Sequence, residues 1–197
     1  MQTATAEVPT GRPRATVPIV PVAGLPIVAV VIGFVVFAIE SNKLWALMFC
    51  HVAGGGLWTG IDLFVGLILG PIIGRLSPPA RAEFTARFMP KMVIIMPTVV
   101  TMTLATGLQI ALNLDKLNVG DKSHPWLIAS FVVVGVMAVI ALGILEPANI
   151  TVLFEMNKEQ PDPEVIGRMM KRFIYTAGIT GIMQIATLII MTRVATL

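Results

Sequence analysis

Polar residues divide the chain into five long apolar stretches, separated by short clusters of charge, proline and glycine. The first runs roughly from Leu25 to Ile39 and is short unless Ile19–Gly24 contribute. A second begins after the tight Glu40–Lys43 connection and stays apolar to Gly74. The third is Met92–Leu114, the fourth Trp126–Leu145 with an extension to Phe154, and the fifth Phe173–Val194. A helix needs about 20 mostly apolar residues to cover the hydrocarbon core of a bilayer. None of the stretches alternates with the period of two that a barrel strand requires. The pattern predicts an all-α integral membrane bundle of five transmembrane helices, forming one unit over residues 23–197.

Residues 1–22 read differently. Pro9, Pro13, Pro18 and Pro21, with Pro26 just beyond, leave no room for a regular helix. The segment is expected to be an extended, disordered tail. Arg12 and Arg14 precede the apolar run, but no clean cleavage site follows it, so the first helix is expected to be retained rather than removed as a secretory signal. Pro78–Pro79 is expected to end the second helix, leaving Arg81, Glu83 and Arg87 on a short surface segment. Over 30 residues are available to that second helix, which must either tilt or project from the bilayer.

Composition narrows the functional classes. Of 197 residues, 56% are hydrophobic and 13% are charged, about half the charge of an ordinary soluble domain. The net charge is only +3, which speaks against nucleic acid as a partner, and the bilayer itself is the first partner. Cys50 is the one cysteine, so neither a disulfide framework nor a cysteine-rich metal site is available. Lysine and arginine divide unevenly between the two sides of such a bundle. Ten lie in the tail and in the second-to-third and fourth-to-fifth connections, against Lys43, Lys116, Lys122 and Arg193 on the other side. Positive charge stays inside. A bacterial-type inner membrane is therefore expected, with a cytoplasmic N-terminus and an external C-terminus.

In so apolar a bundle, ionisable groups within the spans point to function, because each costs about 2.5–3.5 kcal/mol at the centre of the bilayer. The densest set is Cys50-His51-Val52-Ala53-Gly54-Gly55-Gly56-Leu57-Trp58-Thr59-Gly60-Ile61-Asp62. At about 100° per residue, Gly55, Trp58 and Asp62 all fall within about 40° of His51. These four residues form one stripe. A neutral imidazole can ligate iron or copper, glycine lets a flat macrocycle approach the backbone, and an indole can pack on its edge. The competing reading is a small-residue packing face, with His51 bonded to a neighbouring helix.

His51, Trp58 and Gly60 near one end of a helix resemble the first core helix of the CopD-type copper-resistance membrane proteins and of the HemJ-type protoporphyrinogen oxidases. Phe88-Met89-Pro90-Lys91-Met92-Val93-Ile94-Ile95-Met96-Pro97, followed by Gly107, is similar to the HemJ-like third-helix pattern. The resemblance covers about residues 44–113. It implies a four-helix core with the helix at 25–39 added, and a b-type haem in the bundle with His51 as axial ligand. Lys91 matches the family's lysine by position. His51 lies roughly 12 Å inside the external end, whereas Lys91 begins the next helix at the opposite end and cannot share its iron. His124, in the external connection, is on the correct side to be a second ligand, or is a surface residue before Pro125.

Three functional classes follow. The first is a haem b protein of electron transfer, working with a quinone or a partner oxidoreductase. The second is a copper-handling protein, since Met89, Met92 and Met96 share a helix face and thioethers suit Cu(I). The third is a cofactor-free anchor subunit of a larger membrane complex or a homo-oligomer. No phosphate-cradling loop or hydrolase triad is present in the sequence.

Overall fold

The computed structural model describes residues 16–197. Five helices are long and apolar enough to cross a membrane: α1 Val22–Ser41, α2 Leu44–Arg75, α3 Pro78–Asn113, α4 His124–Met156 and α5 Pro163–Thr196. Residues 1–15 of the expected tail lie outside the described residues. The portion that is described is fastened to the bundle: Val17 N–H donates to Asn157 Oδ1, and Asn157 Nδ2 donates to Val17 O, both at 2.9 Å.

Among the described residues there is no strand, and the surface is apolar in the way lipid requires. Val30, Val139, Leu142 and Ile189 are all highly exposed along the spans. In lipid only structures that satisfy their own backbone groups can span, and unbroken helices do so. The bundle has two ends. One carries the α1–α2 turn at Asn42 and the 114–123 connection, and will be called the Asn42 end. The other carries the α2–α3 and α4–α5 connections and will be called the Arg81 end.

Helices α3 and α5 start well before their apolar stretches. Pro78–Pro79 opens α3 instead of closing α2, with Ser77 extended before it. Proline suits the first turn because the N–H it lacks would have no partner there. The expected surface segment around Arg81–Arg87 is therefore continuous helix. Thr85 and Met89 are buried on its inner face, while Arg87 and Glu83 pair at 2.7 Å on the exposed face. Arg81 reaches back to the carbonyls of Ile73, Gly74 and Leu76, closing the end of α2. Pro90 and Pro97 lie inside α3 without ending it, as neighbouring helices in a bundle permit.

Two hairpins of one plan make the core. In α2 a π-helical stretch, Phe64–Leu69, leads into Gly70-Pro71; in α4 another, Ala141–Leu145, leads into Glu146-Pro147. Each site reads Ile-Leu-x-Pro, as Ile68–Pro71 and Ile144–Pro147. Each following helix carries Arg-Phe, as Arg87-Phe88 and Arg172-Phe173. The rings of Phe88 and Phe173 meet edge to face with centroids 6.5 Å apart, so equivalent positions of the two hairpins touch.

The hairpins are held together in two places. Midway along, α2 and α5 cross at Gly66 and Gly178, where a Cβ added at Gly66 would come within 2.7 Å of Gly178 N and overlap its Cα. Towards the Arg81 end, α3 packs on α4 over Glu146–Met156, around Met89, Met92, Met96, Met170 and Phe173. At the Asn42 end, α4 leans on α5 instead and makes at most marginal contact with α3. Helix α1 packs on α2 and α3, burying Val35 and Ala38.

Candidate functional site

Because α3 and α4 part towards the Asn42 end, the hairpins enclose a cavity of about 500 Å³ there. That is within the range of small-molecule and cofactor sites. Helix α2 contributes His51, Gly55 and Trp58, and α3 contributes Thr103 and Gly107. Across from them stand Ser130 and Met137 of α4 and Gln184 and Met191 of α5. Leu104, Leu108, Phe131 and Leu188 line the same space and are exposed. The cavity thus has a largely apolar wall with a few polar groups, among them His51, Thr103, Ser130 and Gln184.

His51 is seated by α3. Its Nδ1 lies 2.9 Å from the Thr103 carbonyl oxygen. A carbonyl can only accept, so Nδ1 carries a proton, and the tautomer with this arrangement has its lone pair at Nε2. Among the described residues Nε2 has no hydrogen-bond partner. Gly107, one turn beyond Thr103, makes the seat: a Cβ there would lie 2.6 Å from both Cε1 and Nδ1 of the ring. Metal-binding histidines are commonly held in this way, with one nitrogen tied to a carbonyl and the other free.

The glycines of α2 divide by role. Gly54 faces α3, where a Cβ would come within 2.9 Å of Met102 Cε and closer still to Thr103 Oγ1. Gly55 has ordinary clearance, with Thr103 Cγ2 at 3.6 Å, and Gly56 meets nothing within 4 Å; both line the cavity. Gly60 also meets nothing but is away from the cavity. One glycine therefore serves helix packing and two leave space.

Trp58 and Gln184, both buried, form the deep end of the cavity. Asp62 lies beneath and is only 2% exposed. Its Oδ2 accepts from Thr180 Oγ1 at 3.0 Å and from Gln184 Nε2 at 2.9 Å. No cation pairs with it among the described residues. The Trp58 side chain of α2 also hydrogen-bonds to Asp62, so Gln184 and Trp58 both join it to the cavity. Asp62→Asn keeps an acceptor for both donors and should change stability by less than about 1 kcal/mol. Asp62→Leu leaves Gln184 Nε2 without an acceptor and should cost about 1–3 kcal/mol. Denaturant unfolding of both variants in detergent measures the difference.

The other candidates lie apart. His124 is the first residue of α4 and does not line the cavity; its Nδ1 is buried with no partner among the described residues. The structure does not bring it together with His51. Lys91 is exposed on α3, and Met89, Met92 and Met96 fill the core towards the Arg81 end. Among the described residues, no three histidine, cysteine or acidic side chains gather as a metal site. The thioethers that do line the cavity belong to Met48, Met137 and Met191.

Sequence reasoning missed Thr103 as the partner of His51, and Gln184 and Thr180 as the partners of Asp62. A signal existed. Thr103 and Gly107 are spaced i, i+4, and Thr180, Gln184, Thr187 and Met191 follow i, i+4, i+7, i+11, so each set marks a polar or small face on an otherwise apolar helix. The chain matches no family model, no curated protein and no solved structure.

Proposed function

We propose that the protein binds one b-type haem in this cavity, with His51 Nε2 as an axial ligand, and takes part in electron transfer. The observation that carries the reading is the free Nε2 of an imidazole whose other nitrogen is tied to the Thr103 carbonyl, on the wall of a cavity of cofactor size. The residues present fit such a group. Gly55 and Gly56 leave a flat surface on α2, Gly107 lets the imidazole sit against α3, and apolar side chains supply most of the remaining wall. The resemblance of His51, Trp58 and Gly60 to the CopD- and HemJ-type helices points the same way.

When bound, the haem would supply one-electron chemistry. The chain's own residues do the rest. Thr103 keeps the proton on Nδ1, so the ring is presented as a ligand rather than a donor. Trp58 closes the deep end, and Gln184 keeps Asp62 in hydrogen-bonded contact with the cavity. The apolar lining between α3 and α4 suits exchange with a quinone in the bilayer or with a partner oxidoreductase. By the count of lysine and arginine, the Arg81 end is cytoplasmic and the cavity lies in the external half of a bacterial-type inner membrane.

Copper is the second reading. Met48 and Met191 line the cavity with His51, and imidazole with thioethers suits Cu(I). Absorption spectra of protein purified in detergent, oxidised and then dithionite-reduced, with copper measured on the same sample, separate the readings. A haem spectrum near one per chain is expected. Stoichiometric copper without haem would favour the second reading. Neither, with a tightly co-purifying partner, would favour a cofactor-free anchor subunit.

A further inference from the structure

At the Asn42 end the cavity is bordered by the connection between α3 and α4, and among the described residues its only charged lining residue is Lys116. The connection is built to hold that residue in place. Asp115 takes a left-handed conformation with φ of 52°, and the Lys116 N–H turns back to the Ala111 carbonyl at 3.0 Å. The final turn of α3 therefore fixes the position of the Lys116 backbone.

The ammonium is not fully engaged. Its one carboxylate neighbour, Asp121, has Oδ2 at 3.4 Å, and the Lys116 side chain is about one-fifth exposed. Close charge-assisted bonds are about 2.7–2.9 Å. Asp121 is instead drawn to Ser123, whose hydroxyl and N–H both donate to Oδ1. Those two bonds, the hydroxyl foremost, hold the Asp121 carboxyl below the usual carboxylate range. An ammonium has three donors; a single long pairing leaves capacity for another acceptor.

We propose that Lys116 is the anion anchor of the cavity, binding a carboxylate at the end of the ligand nearest the Asn42 end while the rest of the ligand lies among the apolar side chains below. This rests on the tetrapyrrole reading and specifies it: an amphipathic ligand bound by its acidic edge as well as through His51. The apolar lining accommodates an apolar body, and Lys116 selects for a charged end.

The test uses metal-free protoporphyrin IX, which carries two carboxylates, and its dimethyl ester, which carries none. Each is titrated by fluorescence into the full chain in detergent, and each probe is compared only between wild type and variant, so partition into detergent cancels. Lys116→Met should weaken binding of the diacid about tenfold, the effect of losing one charge-assisted bond, and leave binding of the ester unchanged. Lys116→Arg should keep diacid affinity within about twofold, because the charge remains. Asp121→Asn, which removes the competing carboxylate, should tighten diacid binding. Unchanged diacid binding in Lys116→Met would overturn the anchor and leave the tetrapyrrole reading standing. Failure of the wild type to bind either porphyrin, and haemin titrated in the same way, would overturn both.

Discussion

Replacing His51 with alanine is expected to lower the haem content of purified protein by at least about tenfold, with the fold intact. Outer partners of a metal ligand already change affinity by about 10–100-fold, and the ligand itself should do no less. The stability cost should be small. His51 is half-buried and makes one hydrogen bond, to a carbonyl of α3, so its loss should cost about 0.5–1.5 kcal/mol. Alanine also improves the intrinsic helix propensity at that position. Haem content by pyridine haemochrome, beside a thermal melt followed by circular dichroism, reads the two effects separately. A packing role predicts the opposite pattern: no chromophore in the wild type and a clear loss of stability in the variant.

The second large effect concerns the fold. At the crossing of α2 and α5, Gly66→Leu would place a side chain where the backbone of Gly178 lies. Backbone atoms cannot rotate aside, so the helices must separate. Overpacking of this kind costs about 1–3 kcal/mol or more. Here separation also pulls Asp62 from Thr180 and Gln184, adding about 1–3 kcal/mol for groups left unpaired. The variant should aggregate or lose its cooperative unfolding transition, as size-exclusion chromatography and denaturant titration in detergent would show. Gly60→Ala is the matched control: its Cβ meets nothing within 4 Å, and it should raise stability by up to about 1 kcal/mol through helix propensity. Equal behaviour of the two variants would mean that the Gly66–Gly178 crossing does not hold the hairpins together.

These effects differ because the glycines of one helix face different neighbours. Helical period puts Gly55 on the His51 stripe but does not say what Gly54, Gly55, Gly56 or Gly60 faces. The structure assigns packing against Met102 and Thr103 to the first, cavity space to the next two, and open surface to the last. Gly66 and Gly178, which bring α2 and α5 together, lie 112 positions apart in the numbering, so no local pattern links them. Sequence reasoning also missed the repeated Ile-Leu-x-Pro and Arg-Phe sites, although both stand in the sequence. Their spacing changes between the first and second helix of each hairpin, which obscures them in a search at one fixed period.

Helix number and type followed from the sequence because each depends on local chemistry: apolar runs of bilayer length, and a backbone that must satisfy itself in lipid. The stripe of His51, Gly55, Trp58 and Asp62 followed from helical period alone. Helix boundaries were less legible, since proline can open a helix as Pro78 does or end one, and Pro90 within a helix is tolerated only when neighbouring helices support it. Tertiary structure decided which members of the stripe share a space. His51, Gly55 and Trp58 reach the cavity, while α5 draws Asp62 below it. It also decided the tautomer of His51 and the position of Lys116, because a carbonyl on α3 and the divergence of α3 from α4 are relations between helices, and no single helix encodes them.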